Sequence, residues 1–176
     1  MTMIAMVPAG EPGAREQFEQ LYRSSAGDVY AYVASLLRDR TAAEDVTSLA
    51  FERAYRRRAL FDIRRGTPRS WLFAIARNAA LDELRRRRRT GALLHEVADE
   101  SEPFEEPDGD LAQRRLLVRE GLASLDPRDR EVILLKFVGR LSNAELARVL
   151  RCSESNAGTR LHRAIERLRE ACGVTR

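Results

Sequence analysis

Ser155, Asn156, Thr159, Arg160 and Arg163 gather hydrogen-bonding side chains within little more than two helical turns. Such a set suits double-stranded DNA. Arginine can donate two hydrogen bonds to a guanine edge, asparagine can bridge an adenine, and hydroxyls reach phosphate oxygens. Nothing beside them points to bond-making chemistry. The two cysteines, Cys152 and Cys172, form no Cys-x-x-Cys pair, and His95 and His162 stand apart from any ligand cluster. No nucleophile and base are spaced as a pair. The expected work is therefore recognition, with no catalytic residue, metal or cofactor.

The elements that must hold these side chains are two short helices across a tight turn, from Ser142 to Arg169. Ser142 followed by Glu145 is a capping box, each side chain satisfying a free N–H of the first turn. Ala144, Leu146, Ala147 and Leu150 supply an apolar stripe at helical spacing, which stops at Arg151-Cys152-Ser153. Ser153 can cap the second helix. There Ala157, Leu161, Ala164 or Ile165, and Leu168 share an inward side, leaving the polar set on the other. The pattern is a helix-turn-helix whose second helix reads DNA through its first turns. Arg151 falls where a left-handed backbone often calls for glycine, so strain is expected there. Upstream, Asp126-Pro127 is an N-cap and first-turn proline opening a helix through Lys136. An ordinary helical hairpin with a solvated basic face is the plain alternative.

The 176 residues are 44% hydrophobic and 33% charged, a globular composition that allows one or two small domains. The net charge of +4 conceals a partition. Residues 1–89 hold 17 basic and 11 acidic side chains, residues 90–113 hold none and 8, and residues 114–176 hold 14 and 8. Lys136 is the single lysine, and guanidinium suits bidentate phosphate and base contacts. Residues 90–113, with Pro103, Pro107, Gly91 and Gly109, lack the apolar content for a core and read as an acidic flexible linker. Extended at about 3.3 Å per residue it would span roughly 80 Å, enough to separate two DNA-binding modules. Residues 1–14 read as a disordered lead, lacking the basic start and apolar core of a secretion signal. No segment reads as membrane-spanning, so a cytoplasmic location is expected.

Residues 15–89 read as a first helical module. Phe18, Leu21, Tyr22, Val29, Val33, Leu36 and Leu37 fit one long or broken helix. Thr41 and Glu44 suggest a second capping box, opening a helix through Val46, Leu49, Ala50 and Ala54. After an irregular stretch from Leu60 to Thr67, Thr67-Pro68 opens a helix reaching the five-arginine block Arg85–Arg89. Along it Leu72, Ile75, Ala76, Ala79 and Leu84 can face inward, with Arg69, Arg77, Asn78 and the block expected outside. Trp71 beside these arginines could stack on single-stranded bases, although a core tryptophan is the commoner case.

The order of these parts resembles a known family. Ala43-Glu44-Asp45-Val46 before Phe51-Glu52-Arg53-Ala54-Tyr55-Arg56, then Ser70-Trp71-Leu72-Phe73-Ala74-Ile75-Ala76-Arg77-Asn78, an acidic linker, and Leu125 with Arg130-Glu131-Val132 before the helix-turn-helix are similar to extracytoplasmic-function (ECF) sigma factors of bacterial RNA polymerase. The likeness spans about residues 15–171. It implies an all-α protein of two small domains: region 2 at 15–89, an acidic linker at 90–113, and region 4 at 114–176. It implies a transcription initiation factor, not an enzyme, that binds core RNA polymerase, selects promoters and promotes melting. By resemblance, Asp45, Phe51 and Arg53 would meet the polymerase clamp. Arg64, Arg65, Arg69, Trp71 and Asn78 would meet the minus-10 element. Ser155, Asn156, Thr159, Arg160 and Arg163 would meet the minus-35 element, with region 4 packed on the flap of the beta subunit. An anti-sigma factor is an expected partner, and the linker would thread the path later taken by RNA. Leu49 and Gly158 depart from the usual pattern, where an acidic and a basic residue are common. A free-standing helix-turn-helix regulator is the alternative, accounting for residues 114–176 alone.

Overall fold

A computed structural model of the chain describes residues 14–90 and 109–174. The expected lead and most of the expected linker lie outside the described residues. Those described form seven α-helices and no strand. The first three, α1 (Ala14–Leu37), α2 (Arg40–Arg56) and α3 (Pro68–Arg89), pack pairwise into a bundle. Its centre is Val29, Tyr32 and Val33 of α1, Ala43, Ala50 and Ala54 of α2, and Leu72, Phe73, Ala76 and Ala80 of α3, all fully buried. The recurrent alanines let the helix backbones approach closely. α1 runs unbroken, while α2 and α3 are joined by two single 3-10 turns, Arg58–Leu60 and Ile63–Arg65.

The caps explain the boundaries. Thr67 caps α3 as expected, its Oγ1 accepting from the Ser70 N–H at 3.2 Å, with Pro68 behind it. α2 starts differently from the sequence expectation. Its cap is Asp39, whose carboxylate accepts from the Ala42 N–H at 2.9 Å, and Glu44 pairs with Arg40 instead of closing a box on Thr41. Arg38, left-handed at φ 50°, turns the chain out of α1 and places Asp39 in position. Arg87 then donates to Asp39 Oδ2 at 2.8 Å, tying the end of α3 to the start of α2.

The second group comprises α4 (Gly109–Ser124), α5 (Pro127–Phe137), α6 (Asn143–Leu150) and α7 (Glu154–Ala171). α4 begins within the tail of the acidic segment, so residues 109–113 are helical. It crosses α7 at Gly121, where a Cβ would lie 2.6 Å from Cys172 Sγ and 3.0 Å from Leu168 Cδ1. Buried Arg130 finishes α4, donating to the free carbonyls of Leu122, Ala123 and Leu125 at 2.6, 2.7 and 3.0 Å. Residues 130–135 of α5 are all buried. Successive helical residues turn about 100°, so six in a row bury every face. α5 is thus covered by α6 and α7 on one side and by α1 of the first domain on another.

Candidate nucleic-acid and polymerase interfaces

The helix-turn-helix is built as its caps require. Ser142 and Glu145 close a reciprocal capping box on α6, with bonds of 3.2 and 2.9 Å. Ser153 Oγ accepts from the Asn156 N–H at 3.2 Å to start α7. Between them Arg151 sits at φ 55°, ψ 50°, the left-handed geometry that its side chain disfavours. The turn accepts this because the Arg151 and Cys152 N–H groups satisfy carbonyls at the end of α6. Leu146, Ala147 and Val149 are the buried positions of α6, with Ala144 and Leu150 at its margin. Ala157, Leu161 and Ala164 bury one side of α7. Ser155, Asn156, Thr159, Arg160 and Arg163 are all exposed on the other. The sole constraint printed on this face within α7 is Thr159 Oγ1 donating to the Ser155 carbonyl at 3.0 Å. A rigid helix therefore presents one contiguous hydrogen-bonding surface sized for a major groove.

The first domain separates its candidates. Asp45 is exposed and Arg53 half-exposed, the latter 3.9 Å from Asp82. Phe51 is buried, its ring edge-on to Phe18 and Tyr22 at centroid distances of 6.5 and 4.8 Å. The expectation that Phe51 meets the clamp is corrected: its ring fastens α2 to α1, and partly exposed Tyr22 and Tyr55 hold the aromatic surface around it. Arg64 and Asn78 are exposed. Arg65 belongs to the second 3-10 turn, and its side chain lies outside the described set. Trp71 is half-buried, tilted on Phe61 at 5.4 Å. Both the core and the stacking readings hold part of the truth for it: one edge is packed and one is available.

Arg69 and Arg77 were expected to be free, and neither is. Arg69 donates to Asp28 Oδ2 at 2.6 Å, to the Gly139 carbonyl at 2.7 Å, to the Val138 carbonyl at 3.1 Å and to Ser25 Oγ at 3.2 Å. Arg77 donates through Nε and Nη2 to the two oxygens of Glu131, at 2.8 and 3.2 Å. Helical spacing told which side of α3 they occupy; it could not show that α5 covers that side. Thr67 also donates to Glu145, linking the cap of α3 to the capping box of α6. Burial pushes the Glu145 carboxyl up, but hydrogen bonds from Thr67 and Ser142 outweigh it and hold it below the ordinary carboxylate range. Of the arginine block, Arg86 and Arg87 clasp Glu83. Hydrogen bonding from Arg86, opposed by burial and aided by Arg87, lowers the Glu83 carboxyl to about 2. Arg85, Arg88 and Arg89 stay exposed around an open basic cup with Asp82.

A helical bundle with a basic loop-and-helix surface, followed by a helix-turn-helix, defines a two-part promoter-recognition subunit. The chain matches the family models for Sigma-70 region 2 at residues 21–90 and Sigma-70, region 4 at residues 115–168. It is 31% identical over 94% of its length to the ECF RNA polymerase sigma factor BldN of Streptomyces coelicolor, spanning 64% of that longer protein. It is 32% identical to the RNA polymerase sigma factor CarQ of Myxococcus xanthus, over 92% of each chain. In fold it is similar to the sigma factor RpoE of Bartonella quintana, solved in complex with the anti-sigma factor NepR, with a TM-score of 0.74 and 24% identity over 92% of this chain and 99% of that one. The chain belongs to the ECF sigma factors of RNA polymerase. A free-standing regulator would leave the region 2 match unexplained and is set aside.

Proposed function

We propose that this sigma factor divides promoter recognition between its domains, with residue roles as follows. α7 reads the minus-35 element through Asn156, Arg160 and Arg163, with Ser155 and Thr159 on phosphates or adjacent edges. The 3-10 turns and the start of α3 meet the minus-10 element through Arg64, Arg65, Trp71 and Asn78, the exposed edge of Trp71 stacking on an unpaired base. Arg69 joins them once released from α5. Asp45 and Arg53 on the outer side of α2 dock on the polymerase clamp, flanked by the Tyr22 and Tyr55 rings. The observation that carries this reading is the separation on α7 of five exposed polar side chains from three buried apolar ones.

The work done is binding and strand separation, so the protein is an initiation factor and the bond-making belongs to the polymerase. Its place of action is the cytoplasm, where core polymerase and promoters meet. Exposed apolar side chains, among them Leu116, Leu117 and Val118 of α4, need cover in the free protein. An anti-sigma factor is the partner that fits. Transcription with purified core polymerase on fragmented genomic DNA tests the function. Discrete new start sites sharing two upstream elements are expected, and a transcript profile identical to that of core polymerase alone would overturn the reading.

A further inference from the structure

The surface of α3 assigned above to the minus-10 element is occupied in this structure by the chain itself. α5 lies across α1 and α3 and is gripped at both ends. At its start the Glu131 carboxylate, nearly buried, accepts both hydrogen bonds of Arg77 and one from the Tyr32 hydroxyl at 3.3 Å. At its finish the Val138 and Gly139 carbonyls, at the negative end of the helix, accept from Arg69. Two more bonds join the domains: Arg38 Nη2 donates to the Ala123 carbonyl at 2.8 Å, and Thr67 donates to Glu145. Gly66, at φ 140° in the turn before α3, completes the fit, since a Cβ there would lie 3.2 Å from Arg148 Nη1 of α6. The contacts are charge-assisted and directional, and they engage Tyr32, which is itself fully buried. This is a specific seat, unlike an incidental touch between tethered domains.

We propose that α5 is a self-latch: by seating Glu131 on Arg77 and Tyr32, and its C-terminal carbonyls on Arg69, it holds the free protein in a closed form that withholds the α3 surface from promoter DNA. Arg69 cannot donate to Val138, Gly139 and a phosphate at once, because its guanidinium nitrogens are already committed. Opening frees Arg69 and Arg77 and uncovers the turn at Gly66 and Thr67. Apparent affinity for DNA falls in proportion to the fraction of molecules in the open form. Core polymerase, by holding the two domains apart, would relieve the latch and couple promoter binding to holoenzyme assembly.

The inference rests on the reading of α3 as the minus-10 surface, and two measurements on the full chain separate the claims. Glu131→Gln removes the charge of the latch while keeping its shape; Arg38→Asn removes the third contact with a residue suited to the left-handed backbone. Small-angle X-ray scattering should show both variants more extended than the wild type, with unchanged helical content by circular dichroism. Binding of a fluorescein-labelled, random-sequence short single strand should tighten roughly tenfold if the open form is about a tenth of the wild-type population. Misfolding would lower affinity, so a gain cannot arise from damage. Scattering identical to wild type in both variants would overturn the latch. Expansion with unchanged affinity would contradict the minus-10 surface and leave the latch standing.

Discussion

At the scale of single residues, guanidinium groups divide into those that hold the protein and those that face outward. Arg130 ends α4, Arg87 joins α2 to α3 through Asp39, and Arg69 and Arg77 join the domains. Arg160 and Arg163 are exposed on α7. Replacing Arg160 with alanine should therefore leave the melting temperature nearly unchanged while weakening binding of the holoenzyme to its promoter by about 1–3 kcal/mol, measured by filter binding at fixed salt. An equal loss on promoters altered at the minus-35 bases would assign it to phosphate instead of a base. Glu83 offers a pH test. Its carboxyl is lowered to about 2 in the folded chain, chiefly by hydrogen bonding from Arg86. A depressed carboxylate contributes stability at pH values above the unfolded glutamate range, and that stability is lost as pH falls from there toward about 2. Thermal melts of Glu83→Gln should converge on the wild type across that acid window and lie below it near neutrality.

At the scale of elements, what could be read in advance was whatever is local. Asp126-Pro127, Thr67-Pro68, Ser142 with Glu145, and Ser153 all open helices where their chemistry places them. The inward side of α7 follows from its spacing for the same reason. α4 was not visible because Leu111, Leu116, Leu117 and Val118 remain exposed, so it shows no clean apolar stripe; Gly121 and the Arg130 cap hold it. α2 misled because Thr41 and Glu44 have capping-box spacing, yet the Asp39 carboxylate reaches the free N–H first. Two glycine tests belong here. Arg151→Gly relieves the left-handed strain in the turn and should stabilise region 4 by about 1 kcal/mol in chemical denaturation. Gly139→Ala should do the opposite, because its Cβ would fall 2.4 Å from the Leu135 carbonyl oxygen, a backbone atom that cannot step aside. A neutral Gly139→Ala would mean that the end of α5 is free to rearrange.

At the scale of the whole molecule, the closed arrangement was the least legible feature, because it depends on pairs far apart in sequence. Arg77 and Glu131 are 54 positions apart, and Tyr32 and Glu131 are 99. Periodicity assigned Arg69 and Arg77 correctly to the outer side of their own domain, and the other domain then covered them. The same reasoning corrects Phe51, whose inward place depends on Phe18 and Tyr22 of another helix. Division of labour between the domains is the central claim, and permanganate reactivity of thymines on a promoter fragment tests it most directly. With core polymerase and this protein together, unpaired thymines should appear in the minus-10 region, and Arg160→Ala should reduce their yield without moving their position. A promoter footprint by the protein alone, with no permanganate reactivity gained on adding core polymerase, would contradict it.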